Sequence, residues 1–293
     1  MEVSIITGAN TGLGFEVCKA MAASQKENTK LIMACRSINK AEAAKAKILA
    51  ASPKANIEIE QLDLSSLNSV RKCAASIQSK YSNIKHLINN AGIMMPPFSL
   101  TEDGFESQMA ANYFGHFLLT GLLLDQITST ENSRIVSLSS NAHKSGKINF
   151  NDLQGKEKYS ALGAYSQSKL ACLMYAFELQ KKLDKAGITN TISTAAHPGA
   201  SETDLGRHMP SWALTLMKYS FLSFITHPPK NAARPTLMAA AENAEPGQYY
   251  GPTGFMEMKG EPGKASFKSF SKDEDVSKKL WDVSESLTGI SYL

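Results

Sequence analysis

Cysteine is scarce in this chain, and its few copies are scattered. The 293 residues include four cysteines, Cys18, Cys35, Cys73 and Cys172, with no CxxC pair among them. Each lies in an apolar stretch, so we expect buried free thiols in a reducing compartment rather than a disulfide framework. Neither these cysteines nor the six histidines have the spacing of metal ligands, so no metal site is predicted.

The sequence also lacks a long hydrophobic run and a strong excess of one charge. The longest apolar stretch, Phe117–Leu124, is too short to span a bilayer, and Glu2–Thr7 reads as a strand where a signal peptide would lie. The formal net charge is only +4, and acidic and basic residues interleave in segments such as Lys272–Asp275. We therefore expect a cytoplasmic protein with no transmembrane segment and no nucleic-acid partner.

Short β-rich runs alternate with longer helical patterns along most of the chain. Strands are predicted at Val3–Thr7, Leu31–Cys35, Ile57–Leu62, His86–Asn89, Ile135–Ser139 and Thr189–Ala195. Helices are predicted at Leu13–Ser24, Lys40–Ala51, Leu67–Tyr81, Glu102–Ile127, Ala164–Ala186 and Val276–Leu287. This alternation predicts a Rossmann-type α/β fold, in which helices flank a doubly wound parallel sheet.

A glycine-rich turn follows the first predicted strand. Glycines at positions 8, 12 and 14 leave room for a tight turn and for the backbone to approach a pyrophosphate. The helix that follows offers unpaired N–H groups to the phosphates. The spacing is GxxxGxG rather than GxGxxG, but its place at the first β–α junction predicts a nucleotide site. The contacts are expected from Gly8, Asn10, Thr11, Gly12, Leu13 and Gly14.

The end of the second predicted strand indicates which dinucleotide is bound. Arg36 and Ser37 stand where an acidic residue would accept hydrogen bonds from a ribose 2′-hydroxyl. A guanidinium instead pairs with a 2′-phosphate, so we predict NADP(H) over NAD(H). The alternative is that Arg36 is an ordinary surface charge.

Two further strand ends are expected at the same crevice. Asp63 and Leu64 close the third strand, where the carboxylate can accept a hydrogen bond from the adenine amine. Asn90, Ala91 and Gly92 follow the fourth strand, where small residues admit the adenosine ribose. Ligands of open α/β sheets bind at the carboxyl ends of the strands, so we expect these sites to converge. For Asp63 a helix cap is the alternative.

A tyrosine and a lysine lie four residues apart in the helical pattern that begins near residue 164. Side chains at this spacing emerge on the same helix face, which brings Tyr165 and Lys169 together. A tyrosine ordinarily has a pKa near 10, and a neighbouring ammonium favours its phenolate form. Tyr165 is therefore the expected proton donor or acceptor, and Lys169 the residue that tunes it.

In this combination the chain resembles the short-chain dehydrogenase/reductase family over nearly its whole length. The resemblance rests on Thr7–Gly14, Asp63, Asn89–Gly92, Asn112, Ser139-Ser140, Tyr165, Lys169 and Pro198-Gly199, in family order. Within the family it is most similar to the retinol dehydrogenase-like branch. The residues that indicate this branch are Ala34-Cys35-Arg36, Asn112–Thr120 and His197-Pro198-Gly199.

The resemblance implies a role for each residue of the reaction site. Ser140 would hydrogen-bond the substrate carbonyl, and Lys169, like Tyr165, would also contact the cofactor. Asn112 would bend its helix and help to hold a water that relays protons to the lysine; the alternative is an exposed polar helix position. Pro198 and Gly199 would begin the segment that closes over the nicotinamide. Thr203 matches a hydroxyl that contacts the cofactor.

The expected function is that of an NADP(H)-dependent oxidoreductase. Hydride would pass between the nicotinamide and a carbonyl or alcohol substrate, a lipophilic one such as a retinal-like aldehyde or ketone. Two alternatives remain, a catalytically silent NADP(H)-binding regulatory protein and a protochlorophyllide reductase-like enzyme. His116 and His197 are interpreted as hydrogen-bonded structural residues rather than catalytic ones.

The pattern loosens after Pro198. Residues 211–225 are dense in large apolar side chains and belong to a predicted substrate-loop insertion around residues 200–230. We interpret this stretch as a substrate lid, with a subunit contact or a membrane-surface contact as alternatives. A carboxy-terminal extension covers residues 246–293, and the whole chain is predicted to form one NAD(P)-binding domain. A homodimer through the two long helices is allowed, unless this extension covers them.

Overall fold

The computed structural model describes residues 1–200 and 228–293. The strands in these ranges are β1 (Glu2–Thr7), β2 (Thr29–Cys35), β3 (Ile57–Gln61), β4 (Ile84–Asn89), β5 (Ser133–Leu138), β6 (Thr191–Ala196), β7 (Tyr249–Pro252) and β8 (Pro262–Lys264). The α-helices are α1 (Gly12–Ala23), α2 (Ile38–Ala51), α3 (Leu67–Lys80), α4 (Ser107–Met109), α5 (Gly115–Thr128), α6 (Ala161–Lys185), α7 (Pro229–Ala232), α8 (Arg234–Ala239) and α9 (Glu274–Thr288).

The strands form one sheet in the order β3-β2-β1-β4-β5-β6-β7-β8. Every neighbouring pair is parallel except β7 and β8, which are antiparallel. The chain leaves β3 and crosses to the other side of β1, so the strand order reverses between β1 and β4. The carboxyl ends of strands at such a reversal border a crevice. This architecture confirms the predicted Rossmann-type doubly wound sheet.

Hydrophobic cores cover both faces of the sheet. Successive residues of one strand point to opposite faces, so Ile5 joins the core under α3, α5 and α6, whereas Ile6 joins the core under α1 and α2. Ile135 and Val136 of β5 divide between the two cores in the same way. Because neither face meets water, the strands read as nearly continuous apolar runs.

The predicted helix Glu102–Ile127 begins later than its apolar pattern suggests. Gly104 has a φ of 80°, which ends any regular helix there and forms a turn instead. The helix starts at α4, where the Glu106 carboxylate accepts two backbone N–H bonds of the first turn at 2.9 and 2.8 Å. A π-helical turn, Ala110–Phe114, then separates α4 from α5.

The carboxy-terminal segment covers the outer sides of α5 and α6. Trp281 of α9 is almost fully buried, and its ring lies 5.7 Å from that of Tyr175 and 5.1 Å from that of Phe117, centroid to centroid. Tyr292 fills the space beside Gly121, where a Cβ would lie 2.5 Å from the tyrosine ring. The two long helices that were considered for a homodimer therefore each pack against the carboxy-terminal extension.

Several expectations fall on residues 201–227, which lie outside the described ranges. They are the role of Thr203, the lid at residues 211–225 and most of the insertion around residues 200–230. Among the helices that the structure describes, none combines the length and the apolarity that a bilayer crossing requires. In the same ranges, no three potential metal-ligating side chains come together.

Candidate active site

The glycine turn brings the start of α1 into direct contact with the ends of β1 and β4. Gly8 and Gly12 have φ values of 66° and 56°, a region that favours glycine. A Cβ on Gly14 would lie 2.5 Å from both the Gly8 carbonyl oxygen and Asn90 Nδ2, so only glycine fits. Thr11 precedes the helix without making a side-chain cap. The first N–H groups of α1 are thus left to bind an anion.

A cavity of about 210 Å³ lies over this turn. It is lined by these predicted cofactor residues: Gly8, Asn10, Thr11, Gly12, Leu13, Gly14, Arg36, Asp63, Leu64, Asn90, Ala91 and Gly92. Four strand ends that are separated by up to 84 positions in the chain therefore meet at one crevice, as the parallel sheet requires. The structure therefore brings the predicted residues together, and the contact of each with a cofactor stays a prediction.

A second cavity, of about 700 Å³, continues from Arg36 along α2. Lys40 and Lys47 line it together with Arg36 and Ser37, and none of its described lining residues is acidic. Sequence reasoning missed both lysines. Their spacing of two helical turns was the available signal, because it places them on one face of α2.

Thr7 ties β1 to the loop that follows β4. Its hydroxyl accepts hydrogen bonds from the backbone N–H groups of Asn90 and Ala91, both at 2.9 Å. The Asn90 side chain in turn donates to the Thr7 carbonyl at 2.8 Å. Asn90 Oδ1 is buried and accepts no hydrogen bond within the described residues. A buried oxygen of this kind at the edge of the cavity is available to a ligand donor.

Asp63 shapes its own turn as well as lining the cavity. Its Oδ1 accepts the backbone N–H of Ser65 at 2.9 Å, and its own N–H donates to Ser69 Oγ at 2.9 Å. The cap of α3 is Ser66, not Asp63. The alternative interpretation of Asp63 as the helix cap is therefore wrong for this helix.

Tyr165 and Lys169 meet the glycine turn at a third cavity, of about 70 Å³. The Lys169 ammonium lies 5.9 Å from the centre of the Tyr165 ring and donates to the Leu138 carbonyl at 3.1 Å. The cavity is also lined by Leu13, Asn90, Gly92, Ile93, Met94, Leu138, Ser139 and Pro198. One small space therefore joins the tyrosine and the lysine to the glycine turn and to the end of β4.

Asn112 lies in the middle of the π-helical turn and is 2% exposed, so the alternative of an exposed helix position is wrong. Its Oδ1 accepts the Ile93 N–H at 2.8 Å, and its Nδ2 donates to the Ile93 carbonyl and to Ser168 Oγ at 3.0 and 2.8 Å. Single π-helical turns are frequent at functional sites. Here the turn connects the loop after β4 to α6, one residue from Lys169.

The two serines after β5 have different surroundings. Ser139 is buried, lines the small cavity and donates to the Lys169 carbonyl at 2.8 Å. Ser140 is partly exposed and begins a 3₁₀ turn, Asn141–Ser145, where its hydroxyl accepts the Ala142 N–H at 3.2 Å. The predicted carbonyl-binding serine is thus the accessible one, although its neighbour lines the cavity.

His116 is buried beneath the crevice and hydrogen-bonded through both ring nitrogens. Nε2 lies 2.9 Å from Thr7 Oγ1, and Nδ1 lies 2.9 Å from the Asn112 carbonyl oxygen. Burial lowers the pKa of His116 to about 4. These contacts agree with its interpretation as a structural residue that holds β1 against the π-helical turn.

We expect His116 to make the protein less stable as the pH falls from about 6.5 towards about 4. In that range an unfolded histidine takes up a proton, whereas the folded one stays neutral, so acid favours unfolding. Replacing His116 with glutamine should flatten the pH dependence of the unfolding free energy by at most about 1.4 kcal/mol per pH unit. Urea unfolding of both proteins between pH 5 and pH 7 measures this slope. Identical slopes for wild type and His116→Gln would contradict the low pKa of His116 in the folded protein.

Comparison with known proteins points to one family. A sequence profile described as short chain dehydrogenase matches residues 2–213. Retinol dehydrogenase 13 of Mus musculus is 39% identical over 98% of this chain and 84% of its own length. Retinol dehydrogenase 12 of Mus musculus is 36% identical over 99% of this chain and 87% of its own length.

Solved structures share the fold of this chain. The crystal structure of an uncharacterized protein from Mycobacterium Paratuberculosis matches with a TM-score of 0.80 and 36% identity, and the match covers 100% of this chain and 94% of that one. An NADPH-bound short chain oxidoreductase from Pseudomonas aeruginosa PAO1 matches with a TM-score of 0.63 over 84% of this chain and 93% of its own. At 15% identity, the second match shows the shared fold alone.

Proposed function

Because this chain belongs to the short-chain dehydrogenase family, within its retinol dehydrogenase-like branch, we propose that it is an NADP(H)-dependent carbonyl reductase or alcohol dehydrogenase. The observation that carries the proposal is the small cavity where Tyr165 and Lys169 meet the glycine turn. An oxidoreductase of this kind needs a proton-transferring group beside the nicotinamide, and this cavity offers one.

The residues of the crevice suit a dinucleotide. Because Gly14 has no Cβ, the start of α1 lies against Gly8 and Asn90 with its first N–H groups at the cavity, where a pyrophosphate can bind them, and the buried Asn90 Oδ1 offers an acceptor. In this assignment Asp63 and Leu64 hold the adenine, and Lys169 holds the nicotinamide ribose. Pro198 and Gly199 are assigned to the nicotinamide, whereas the expected cofactor contact of Thr203 lies outside the described residues. When bound, the nicotinamide supplies or accepts the hydride.

We assign the 2′-phosphate to the basic cavity along α2. Arg36, Lys40 and Lys47 line it with the Ser37 hydroxyl, and no carboxylate is among its described lining residues. A phosphate there gains charge-assisted hydrogen bonds, whereas a 2′-hydroxyl has no carboxylate to accept its hydrogen. This environment supports NADP(H) over NAD(H).

The chain's own residues supply the proton chemistry. In reduction, Tyr165 gives its phenolic proton to the oxygen of the carbonyl compound as that oxygen gains negative charge. The nearby Lys169 ammonium favours the phenolate that remains. Ser140 donates a hydrogen bond to the same substrate oxygen and orients it. Asn112 hydrogen-bonds Ile93, which lines the same cavity as Lys169, and Ser168, which directly precedes the lysine. In the oxidation of an alcohol, Tyr165 accepts the proton instead of donating it.

The lining of the small cavity indicates the class of substrate. Ile93, Met94 and Leu138 give the small cavity an apolar wall, which favours a lipophilic aldehyde or ketone as substrate.

All four cysteines are buried free thiols, which fits a cytoplasmic location. The packing of α9 and Tyr292 on α5 and α6 favours a subunit that does not form a dimer through these helices.

The proposal is tested by following NADPH oxidation by the purified protein with a panel of lipophilic and polar aldehydes and ketones. We expect turnover that favours NADPH over NADH and lipophilic over polar carbonyl compounds. Tight NADPH binding without turnover on any member of the panel would instead support the silent, cofactor-binding alternative. Light-dependent reduction of protochlorophyllide would support the other alternative.

A further inference from the structure

The turn between β7 and β8 touches two segments that follow predicted site residues. This turn contains the 3₁₀ segment Phe255–Glu257, and the carbonyl oxygens of Met256 and Glu257 accept hydrogen bonds from the Asn141 side chain at 3.3 and 3.2 Å. The Met258 carbonyl accepts the Ala200 N–H at 2.8 Å. Asn141 directly follows Ser140, and Ala200 directly follows Gly199. The turn therefore lies between the segment that carries the carbonyl-binding serine and the segment that borders the nicotinamide.

The Glu257 carboxylate binds both neighbouring segments through its side chain. Oε2 accepts a hydrogen bond from Lys144 Nζ at 2.9 Å and lies 3.6 Å from Nε2 of the fully buried His197. Oε1 accepts the Ser266 N–H at 2.7 Å. Burial raises the pKa of Glu257, but the nearby His197 and the hydrogen bonds from Lys144 and Ser266 outweigh it and hold the pKa well below its ordinary range. The group is therefore a carboxylate at neutral pH.

The backbone around this carboxylate is closely packed and locally strained. Met256 and Glu257 have φ values of 50° and 55°, which non-glycine residues adopt only where the surroundings hold them. A Cβ on Gly199 would overlap the Met258 carbonyl oxygen, and one on Gly251 would overlap the His197 ring. The three segments are thus closely packed, and the Glu257 carboxylate contacts both Lys144 and His197.

We propose that Glu257 is a positioning residue for hydride transfer. By binding Lys144 on one side and facing His197 on the other, it sets the distance between the Ser140 turn and the Pro198-Gly199 segment. That distance determines how closely the substrate carbonyl approaches the nicotinamide. The inference rests on the proposed function. It adds to the reaction site a residue of the carboxy-terminal extension, Glu257, that acts through Lys144 and His197 rather than by touching substrate or cofactor.

The first test is kinetic and uses Glu257→Gln, which keeps the shape of the side chain and removes its charge. A misplacement of about 1 Å can cost roughly 100-fold in rate, so we expect kcat to fall about 10- to 100-fold. The Kd for NADPH should change less than about threefold, because its expected pyrophosphate and adenosine contacts do not involve this turn. The deuterium isotope effect with NADPH labelled at the transferred position should rise, because hydride transfer becomes slower relative to the other steps.

The matched control is Glu261→Gln, in the same hairpin. Glu261 pairs with Arg234 rather than with either site segment, and its side chain is 76% exposed. We expect wild-type kcat, Kd and isotope effect for this variant. Lys144→Met, which removes the other half of the ion pair, should repeat the Glu257→Gln pattern and covers the case in which Glu257→Gln does not fold. Equal kcat values for wild type, Glu257→Gln and Lys144→Met would overturn the proposal.

The second test does not depend on turnover. Amide hydrogen exchange of the NADPH-bound proteins should be at least about tenfold faster in Glu257→Gln than in wild type for peptides that cover residues 141–146 and 197–200. Exchange in the β1–α1 turn should be unchanged, and Glu261→Gln should exchange like wild type throughout. If wild type reduces no carbonyl compound, the proposed function fails, but the exchange data still decide whether Glu257 couples the two segments. Unchanged exchange in both peptides would overturn that coupling.

Discussion

We expect the Tyr165→Phe protein to lose about 100- to 10,000-fold of its kcat, the range that a general acid contributes. The substitution removes one oxygen atom and keeps the ring beside Lys169, so the packing of α6 is unaffected. NADPH binding should stay within about threefold of wild type, because the glycine turn and the basic cavity are untouched. Steady-state NADPH oxidation and a fluorescence titration of NADPH measure these two quantities separately.

Tyr81→Phe is the matched control for this prediction. Tyr81 also ends in a hydroxyl, which donates to Glu58 at 2.6 Å at the end of α3, outside the three cavities around the crevice. Its loss should leave kcat within about twofold of wild type, although the protein loses hydrogen bonds to two charged side chains, Glu58 and Lys30, each worth about 1.5–3 kcal/mol of stability. Retained turnover in Tyr165→Phe would refute the role of Tyr165 as the proton donor.

Arg36→Asp should reverse the cofactor preference. A hydrogen bond to a charged group is worth about 1.5–3 kcal/mol, so the loss of the guanidinium alone should weaken NADPH binding about 10- to 150-fold. The new carboxylate repels the 2′-phosphate and can accept a hydrogen bond from a 2′-hydroxyl. NADH binding should therefore be unchanged or tighter. Dissociation constants of both cofactors for both proteins measure the change.

Two further variants separate the causes of this effect. Arg36→Met removes the cation without adding repulsion and should weaken NADPH binding without favouring NADH. Lys54→Asp makes the same change in net charge at an exposed position and should alter neither cofactor's binding. Lys40 and Lys47 remain in the cavity of each variant and should preserve part of the NADPH affinity. Equal losses for NADPH and NADH in Arg36→Asp would contradict the assignment.

Much of the crevice could be predicted from sequence because its parts are local. Gly8, Gly12 and Gly14 form a single turn, and Tyr165 and Lys169 share one helix face, so their spacing predicts that the members of each set lie together. The convergence of Arg36, Asp63 and Asn90–Gly92 followed from strand order, since parallel strands place their carboxyl ends on one side. The structure brings all of these residues to the crevice, as predicted.

The π-helical turn around Asn112 shows where the sequence pattern was insufficient. Apolar periodicity continues through Gly104, but a single positive φ and the Glu106 cap shift the start of the helix to Ser107. The π-helical turn cannot be recognised from spacing either. The partners of Asn112, on Ile93 and Ser168, are up to 56 positions away in the chain.

The fold class could be predicted from the alternation of strand and helix patterns along the chain. The glycine turn, the basic residue after β2 and the tyrosine–lysine pair could be predicted because each depends on residues within one turn, one strand end or one helix face. The three-dimensional packing was needed to show that Lys40 and Lys47 border the same cavity as Arg36, that α9 covers α5 and α6, and that Glu257 faces His197. Contacts of this second kind join side chains from distant parts of the chain. Which of them meet depends on how the elements pack, and hydrophobic periodicity specifies only which face of each element is buried.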